Sequence, residues 1–266
     1  MPRHSATLTV MVNAARKAGR RLARDFGEVE HLQVSRKGPG DFVSAADMKA
    51  EQILREELEQ ARPGYCFLLE EAGEIEGPDK THRWIVDPLD GTTNFLHGLP
   101  HFAISIALER EGELVAGVIF NPVTEELFWT EKGKGAYLND RRLRVSARRD
   151  VSEALFATGI PFSGRPGHRQ FQDELALIMP RVAGIRRFGS AALDLAYVAA
   201  GRYDGFWERG LSLWDIAAGI LMVREAGGTV LDTEGQPRTM ETGNICATNG
   251  ELQKPLTDLL LKAGRE

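Results

Sequence analysis

Apolar residues Leu8, Met11, Val12, Ala15, Ala18, Leu22 and Phe26 recur every three or four positions, so the chain opens with an amphipathic helix. The next segment, "HLQVSRKGPGDFVS", reads as a strand or hairpin around a Gly-Pro-Gly turn. A second helix covers "DMKAEQILREELEQA" and is ended by Arg62-Pro63-Gly64. The pattern then shortens. "YCFLLEE" and "HRWIVD" are brief apolar strands, and both finish in acid. From His101, "HFAISIALEREGELVAGVIFNPVTEELFWTEKGKGAYLND" alternates apolar stretches with turn residues, as a β-meander does.

Beyond Ser152 the pattern changes to alternating strand and helix. "ALFATGIP" predicts a strand, "RQFQDELALIMPRV" and "GSAALDLAYVAAG" helices, and "RYDGFWE" another strand. "WDIAAGILMVREAGG" is apolar nearly all round, which predicts a buried helix, and "NICATN" and "LTDLLLKAG" close the series. Helices layered on sheets in both halves point to an α+β to α/β sandwich. The change of style places a soft boundary near residue 150. It separates an N-terminal α+β lobe, residues 1–150, from a C-terminal α/β lobe, residues 151–266, within one fused unit.

Composition narrows the function classes. A formal net charge of −5 over 266 residues gives no general pull toward nucleic acid or an anionic membrane. No apolar run approaches a membrane span, and the arginines near the N-terminus are not followed by a signal-peptide core and cleavage site. Cys66 and Cys246 have neither metal nor redox spacing. These features together predict a cytoplasmic protein.

The candidate chemistry lies in "WIVDPLDGTTNFLHG", Trp84 to Gly98. A core strand there delivers two aspartates three apart, Asp87 and Asp90, to one place. Glu70 and Glu71 close another strand, and Asp215 opens the buried helix. Clustered carboxylates repel one another unless protonated, separated or neutralised by a cation. An oxygen-rich set without Cys or His suits a hard cation such as Mg²⁺, with the Leu89 carbonyl as a further oxygen. Gly91 lets backbone approach closely, Gly91-Thr92-Thr93 can point amides at an anion, and the Thr92 hydroxyl can orient a water. Plainer readings stand beside these. Asp-Pro and Asp-Gly form turns, Ser44-x-x-Asp47 fits a capping box, and Asp215 reads as an N-cap. Glu70-Glu71 fits a solvated loop edge, and the arginine-rich run Arg141 to Arg149 and the pair Arg186-Arg187 fit solvated faces.

Longer stretches carry a resemblance. "WIVDPLDGTTNFLHGLPHFAISIAL" and "WDIAAGILMVREAGG" resemble the two signatures of the inositol monophosphatase family, lithium-sensitive Mg²⁺ phosphatases. "FLLEEAG", "RKGPGDFVSAAD" and "GSAALDLAYVAAGRYDGFWERGLSLWD" match in order and spacing, so the resemblance covers nearly the whole chain. It implies a layered αβαβα sandwich of the inositol monophosphatase and fructose-1,6-bisphosphatase type, usually a homodimer. It assigns Glu70, Asp87 and the Leu89 carbonyl to a first metal, and Asp87, Asp90 and Asp215 to a second. Glu70 reaches a third through water, giving two to three Mg²⁺ per site. Asp90, Gly91, Thr92 and Asp215 match phosphate and substrate contacts. Thr92, backed by Asp47 and helped by Glu70, matches the group that orients the attacking water. Arg186, Gly189, Ser190, Ala191 and Glu208 match the region that meets the inositol ring. The implied reaction is hydrolysis of inositol-1-phosphate. Histidinol phosphate, fructose-1,6-bisphosphate and 3′-phosphoadenosine nucleotides are alternatives on the same core. Binding to RNA or to proteins of the transcription machinery through the arginine-rich segments is an alternative of another class.

Overall fold

The computed structural model of the chain describes residues 4–28, 34–38, 41–162 and 164–264. Helix α1 (Ala6–Phe26) starts at Ser5, whose side chain accepts from the Leu8 amide at 3.1 Å. Strands β1 (Val34–Gly38) and β2 (Asp41–Ser44) pair antiparallel, while Pro39 and Gly40 of the expected Gly-Pro-Gly turn lie outside the described residues. Helix α2 (Ala45–Ala61) follows directly. A first mixed sheet is then laid down by β3 (Tyr65–Leu69), β4 (Gly73–Ile75) and β5 (Asp79–Asp90). The short helix α3 (Thr92–Leu96) leads into β6 (Ala103–Arg110), β7 (Glu113–Asn121), β8 (Glu126–Glu131), β9 (Gly135–Leu138) and β10 (Arg141–Arg142). From β5 to β10 every neighbouring pair is antiparallel, as the meander pattern predicts.

The second half supplies β11 (Leu155–Thr158), α4 (His168–Ile178), β12 (Gly184–Arg186), α5 (Ala191–Ala199) and β13 (Gly205–Glu208). It ends with α6 (Leu213–Glu225), β14 (Thr229–Leu231), α7 (Thr239–Thr242), β15 (Ile245–Thr248) and α8 (Gln253–Ala263). Its five strands form a second sheet in the order β12-β11-β13-β15-β14. Strands β4, β12 and β14 are three residues each, too short to give a periodicity readable in the sequence.

Side-chain alternation shows how the layers stack. Trp84 and Val86 of β5 join a core with Leu8, Leu22, Leu54 and Leu58 of α1 and α2. Ile85, pointing the other way, joins α5 and α6 and one face of the second sheet, through Leu195, Ile220, Ala157 and Phe206. Phe156 and Trp207, on the far face of that sheet, pack with Ile178 of α4 and Leu256 and Leu260 of α8. The order is therefore helices, sheet, helices, sheet, helices. This is the αβαβα sandwich of the expected class, with α5 and α6 as the shared middle layer.

Strand β5 is longer than its apolar run implies. The "HRWIVD" pattern ends at Asp87, yet the ladder continues to Asp90 by way of a bulge, with Asp87 opposite Ser105 and Asp90 opposite Ala103. Pro88, which has no N–H to give a ladder, lies inside the irregularity.

Candidate active site

That bulge is what brings two carboxylates together. In a regular strand, residues three apart face opposite sides of the sheet. The three-residue step from Asp87 to Asp90 lies opposite a two-residue step, Ser105 to Ala103, on β6, and the extra residue restores a common face. Oxygens of Asp87, Asp90 and Asp215 all lie within 4.8 Å of one another. Glu70, just past β3, lines the same cavity, and its charge bears on both Asp87 and Asp215.

Each aspartate is oriented by hydrogen bonds that it accepts from neighbouring protein groups. Asp87 accepts the Leu89 amide on Oδ1 at 2.8 Å. Asp90 accepts the Ser190 hydroxyl at 2.6 Å and the Ala192 amide at 2.7 Å, both on Oδ2. Those donors sit at the N-terminus of α5, where the helix dipole favours negative charge. Asp215 accepts the Ser212 amide on Oδ2 at 2.7 Å. The N-cap reading of Asp215 is corrected here: Ser212 is the N-cap of α6, and Asp215 is the third residue, reaching back in a capping box.

Burial raises the pKa of all three acids. Asp87 stands well above the usual carboxylate range because it is desolvated and faces the charges of Glu70, Asp90 and Asp215. Asp215 is raised by burial and by Asp90. Asp90 is raised to about 6 by burial, against the pull of Ser190, the α5 amides and Arg187. Buried Asp87 and half-buried Asp90 and Asp215, crowded with Glu70 and with no sulfur or imidazole among them, form an oxygen site whose repulsion a hard divalent cation relieves. The donor set thus fits the metal that the resemblance implies.

Around this floor stand the groups expected at a phosphate. Gly91 has φ +96° and caps α3, and a Cβ there would lie 3.0 Å from the His101 carbonyl oxygen. Only glycine fits that conformation without strain. The amides of Thr92 and Thr93, in the first turn of α3, have no acceptor within the helix. The Thr92 hydroxyl lies 3.1 Å from Asp47 Oδ1 and 3.0 Å from the Leu89 carbonyl oxygen. Having one proton, it donates to one of them at a time. Asp47 is fully buried in the first turn of α2, so it braces Thr92 as well as starting a helix.

The cavity, of about 180 Å³, is also lined by Gly189, Ser190, Ala191 and Glu208. Glu208 ends β13, and burial with the nearby Asp90 charge pushes its carboxyl up to about 8. Arg186, expected at the ring, is exposed, donates to its neighbour's carbonyl at Ile185 and does not line the cavity. The next residue, Arg187, does. Arg186 sits in β12 and Arg187 just past its end, so one position along the chain separates a strand residue from a loop residue over the acids. Glu71 is half-buried at the loop edge, where its amide and that of Ala72 are clamped by buried Glu51 at 2.8 and 3.0 Å. Sequence reasoning missed Glu51 and Arg165, which also lines the cavity, and read Arg187 as part of a solvated face. Glu51 looks like any polar residue of an amphipathic helix, and the two arginines follow no motif.

The comparisons agree with this geometry. The sequence pattern of the inositol monophosphatase family matches residues 4–265. The Rhizobium meliloti protein named inositol-1-monophosphatase is 62% identical over 256 residues, 96% of each chain. The Escherichia coli protein named Nus factor SuhB is 45% identical over 249 residues, 94% of this chain and 93% of that one. Among solved structures, the extragenic suppressor protein suhB from Bartonella henselae superposes with a TM-score of 0.95 at 60% identity, covering 97% of this chain and 99% of that one.

Proposed function

Since the chain belongs to the inositol monophosphatase family, a family of metal-dependent phosphatases, we propose that it hydrolyses inositol-1-phosphate to inositol and phosphate, with two to three Mg²⁺ ions as its metal. The observation that carries this reading is the acid cluster: Asp87, Asp90 and Asp215 each accept a hydrogen bond from the protein, and oxygens of the three lie within 4.8 Å of one another. Glu70, Asp87 and the Leu89 carbonyl, and Asp87, Asp90 and Asp215, are the groups that would hold the metal. When bound, divalent metal supplies positive charge for the phosphate oxygens and acidifies water.

The rest is done by the protein. The phosphate is received by the Gly91-Thr92-Thr93 backbone, whose open amides offer preorganised donors. A water is oriented by Thr92: donation of its proton to Asp47 leaves oxygen lone pairs to accept from that water. Glu70 stands beside it as acceptor for the proton released on attack at phosphorus. Ser190 and the α5 amides keep Asp90 from turning away during the displacement. Glu208, held at the rim, accepts hydrogen bonds from ring hydroxyls, while Gly189 and Ala191 leave room for the ring. Among the described residues no side chain is placed as an activated nucleophile, so direct attack by water is the expected route.

Phosphate release from inositol-1-phosphate, histidinol phosphate, fructose-1,6-bisphosphate and 3′-phosphoadenosine 5′-phosphate, each with Mg²⁺, with EDTA and with added Li⁺, tests the proposal. A Mg²⁺-dependent preference for inositol-1-phosphate, reduced by Li⁺, is expected. A preference for one of the others would overturn the substrate and keep the phosphatase. A homodimer in the cytoplasm is part of the same reading, and the exposed apolar Leu99 and Phe188 suit a subunit contact.

A second reading is favoured by the Escherichia coli relative, named a Nus factor: binding to the transcription machinery. The basic run Arg141 to Arg149 is only partly free for it, since Arg148 pairs with Asp204 and Arg149 with Glu251. Binding of RNA polymerase complexes that survives Asp87→Asn, with phosphatase activity lost, would support that role.

A further inference from the structure

Beside the acid cavity lies a larger one of about 570 Å³, within the range of small-molecule sites. The two share Gly159, Ile160, Phe162, Arg165 and Glu208 as common walls, so they are contiguous across the residue expected to read the ring. Their linings differ. To the shared walls the acid cavity adds Glu70, Asp90, Asp215 and Gly91 to Thr93, and the larger one adds Pro161, Pro166 and Phe171, backed by buried Trp207.

The polar groups of the larger cavity are mostly engaged with one another. Glu174 accepts Trp207 Nε1 at 3.1 Å and Arg209 Nε at 2.7 Å, and Arg209 Nη1 donates to Thr233 at 2.6 Å. Arg165 donates to the Gly210 carbonyl at 2.8 Å, and the Asn244 side-chain oxygen accepts the Gly210 amide at 3.0 Å. A hydroxyl-rich ring entering here would lose water without finding equivalent partners. A flat apolar group would not. The Arg165 guanidinium already lies over the Phe162 ring, 4.3 Å from its centroid, a platform of the kind on which a further ring stacks.

We propose that this second cavity receives an aromatic group carried by the alcohol of a phosphate monoester, so that the substrate range extends past inositol-1-phosphate to esters whose alcohol bears a flat ring beyond Glu208. The inference rests on the phosphatase reading above and adds a specificity pocket, with Phe171 and Phe162 as its aromatic walls. The phosphate stays over the acids, the alkoxide leaves toward Glu208, and the aromatic group lies against Phe171.

The test compares 2-phenylethyl phosphate with ethyl phosphate, whose leaving alkoxides are alike and which differ in the ring. Both are run with Mg²⁺ on the full chain, alongside inositol-1-phosphate. The expected kcat/KM for the phenylethyl ester is about tenfold or more above that for the ethyl ester, because burying a phenyl group favours the bound state. Phe171→Ala should lower that ratio several-fold, mainly through KM. Pro166→Asp, at an exposed position of the same wall, should lower it too and keeps the test open if the first variant does not fold. A ratio near one in the unmodified chain, or a ratio that neither variant moves, overturns the pocket while turnover of inositol-1-phosphate leaves the phosphatase standing. Absence of turnover for all three esters overturns both.

Discussion

Asp90 is the residue on which most of the site depends. It shares the common point with Asp87 and Asp215, and its Oδ2 ties β5 to the start of α5. Asp90→Asn removes a charge from a water-poor site and turns an acceptor toward donors that need one. Turnover at saturating Mg²⁺ should fall by about a hundredfold or more, and near-normal turnover would refute its role. Glu208 gives a pH test in the metal-free protein. Its carboxyl is raised from 4.5 to about 8, mainly by burial. The folded state therefore holds the proton more tightly than the unfolded chain. The stability from that proton is complete below about 4.5, declines as pH rises, and is gone above about 8. Glu208→Gln keeps the shape without the titration. Melting curves between pH 5 and pH 9 should show a smaller loss in the variant, and equal losses would show that Glu208 is not the buried acid described here.

At the scale of elements, the site is made by irregularities. The bulge in β5 turns Asp87 and Asp90 to one face, and the left-handed Gly91 then starts α3 at once. Gly91→Ala puts a Cβ 3.0 Å from one carbonyl oxygen and 3.3 Å from another, at a φ that alanine resists. It should cost about 1–3 kcal/mol of stability, measured by denaturant unfolding, and turnover should fall with it. In the middle layer, α5 and α6 approach so closely that a Cβ on Gly219 would come within 2.5 Å of Leu195. Gly219→Ala should destabilise by about 1–3 kcal/mol through overpacking. Because α5 carries Ser190 and Ala192, which hold Asp90, activity should decline as well. A variant as stable as the parent would mean that the two helices have slack between them.

For the whole molecule, the site draws on every layer but the last. Asp47 comes from the outer helices, Asp87 and Asp90 from the first sheet, Ser190 and Asp215 from the middle helices, and Glu208 from the second sheet. Crowding these carboxylates without a counter-ion weakens the folded state, so divalent metal should stabilise the fold as well as serve the reaction. Ligand present at a hundred times its Kd contributes about 2.7 kcal/mol. Mg²⁺ added to the chelated protein should therefore raise Tm by several degrees, and Asp87→Asn should reduce that shift. No shift at millimolar Mg²⁺ would argue against a metal held by the acids.

The sequence by itself determined the six longer helices and most of the strands, because each needs only a local periodicity: α1 from its apolar stripe, α6 from its apolar run, β6 to β9 from alternation broken by turns, whereas α3 and α7 are too short to show one. It also showed Asp87 and Asp90, since their spacing and the glycine and threonines after them are contiguous in the chain. Tertiary structure decided what spacing does not encode. The two-to-three residue mismatch with β6 put Asp87 and Asp90 on one face. Where β12 ended put Arg187, and not Arg186, over the cavity. Glu51, twenty residues before Glu71, became the clamp of the Glu71-Ala72 turn only because α2 packs on the first sheet at β5, the strand next to β3. The cavity past Glu208 has no signature along the chain, because its walls come from β11, the segment before α4, α4 itself and β13, and meet only when the second sheet closes against its outer helices.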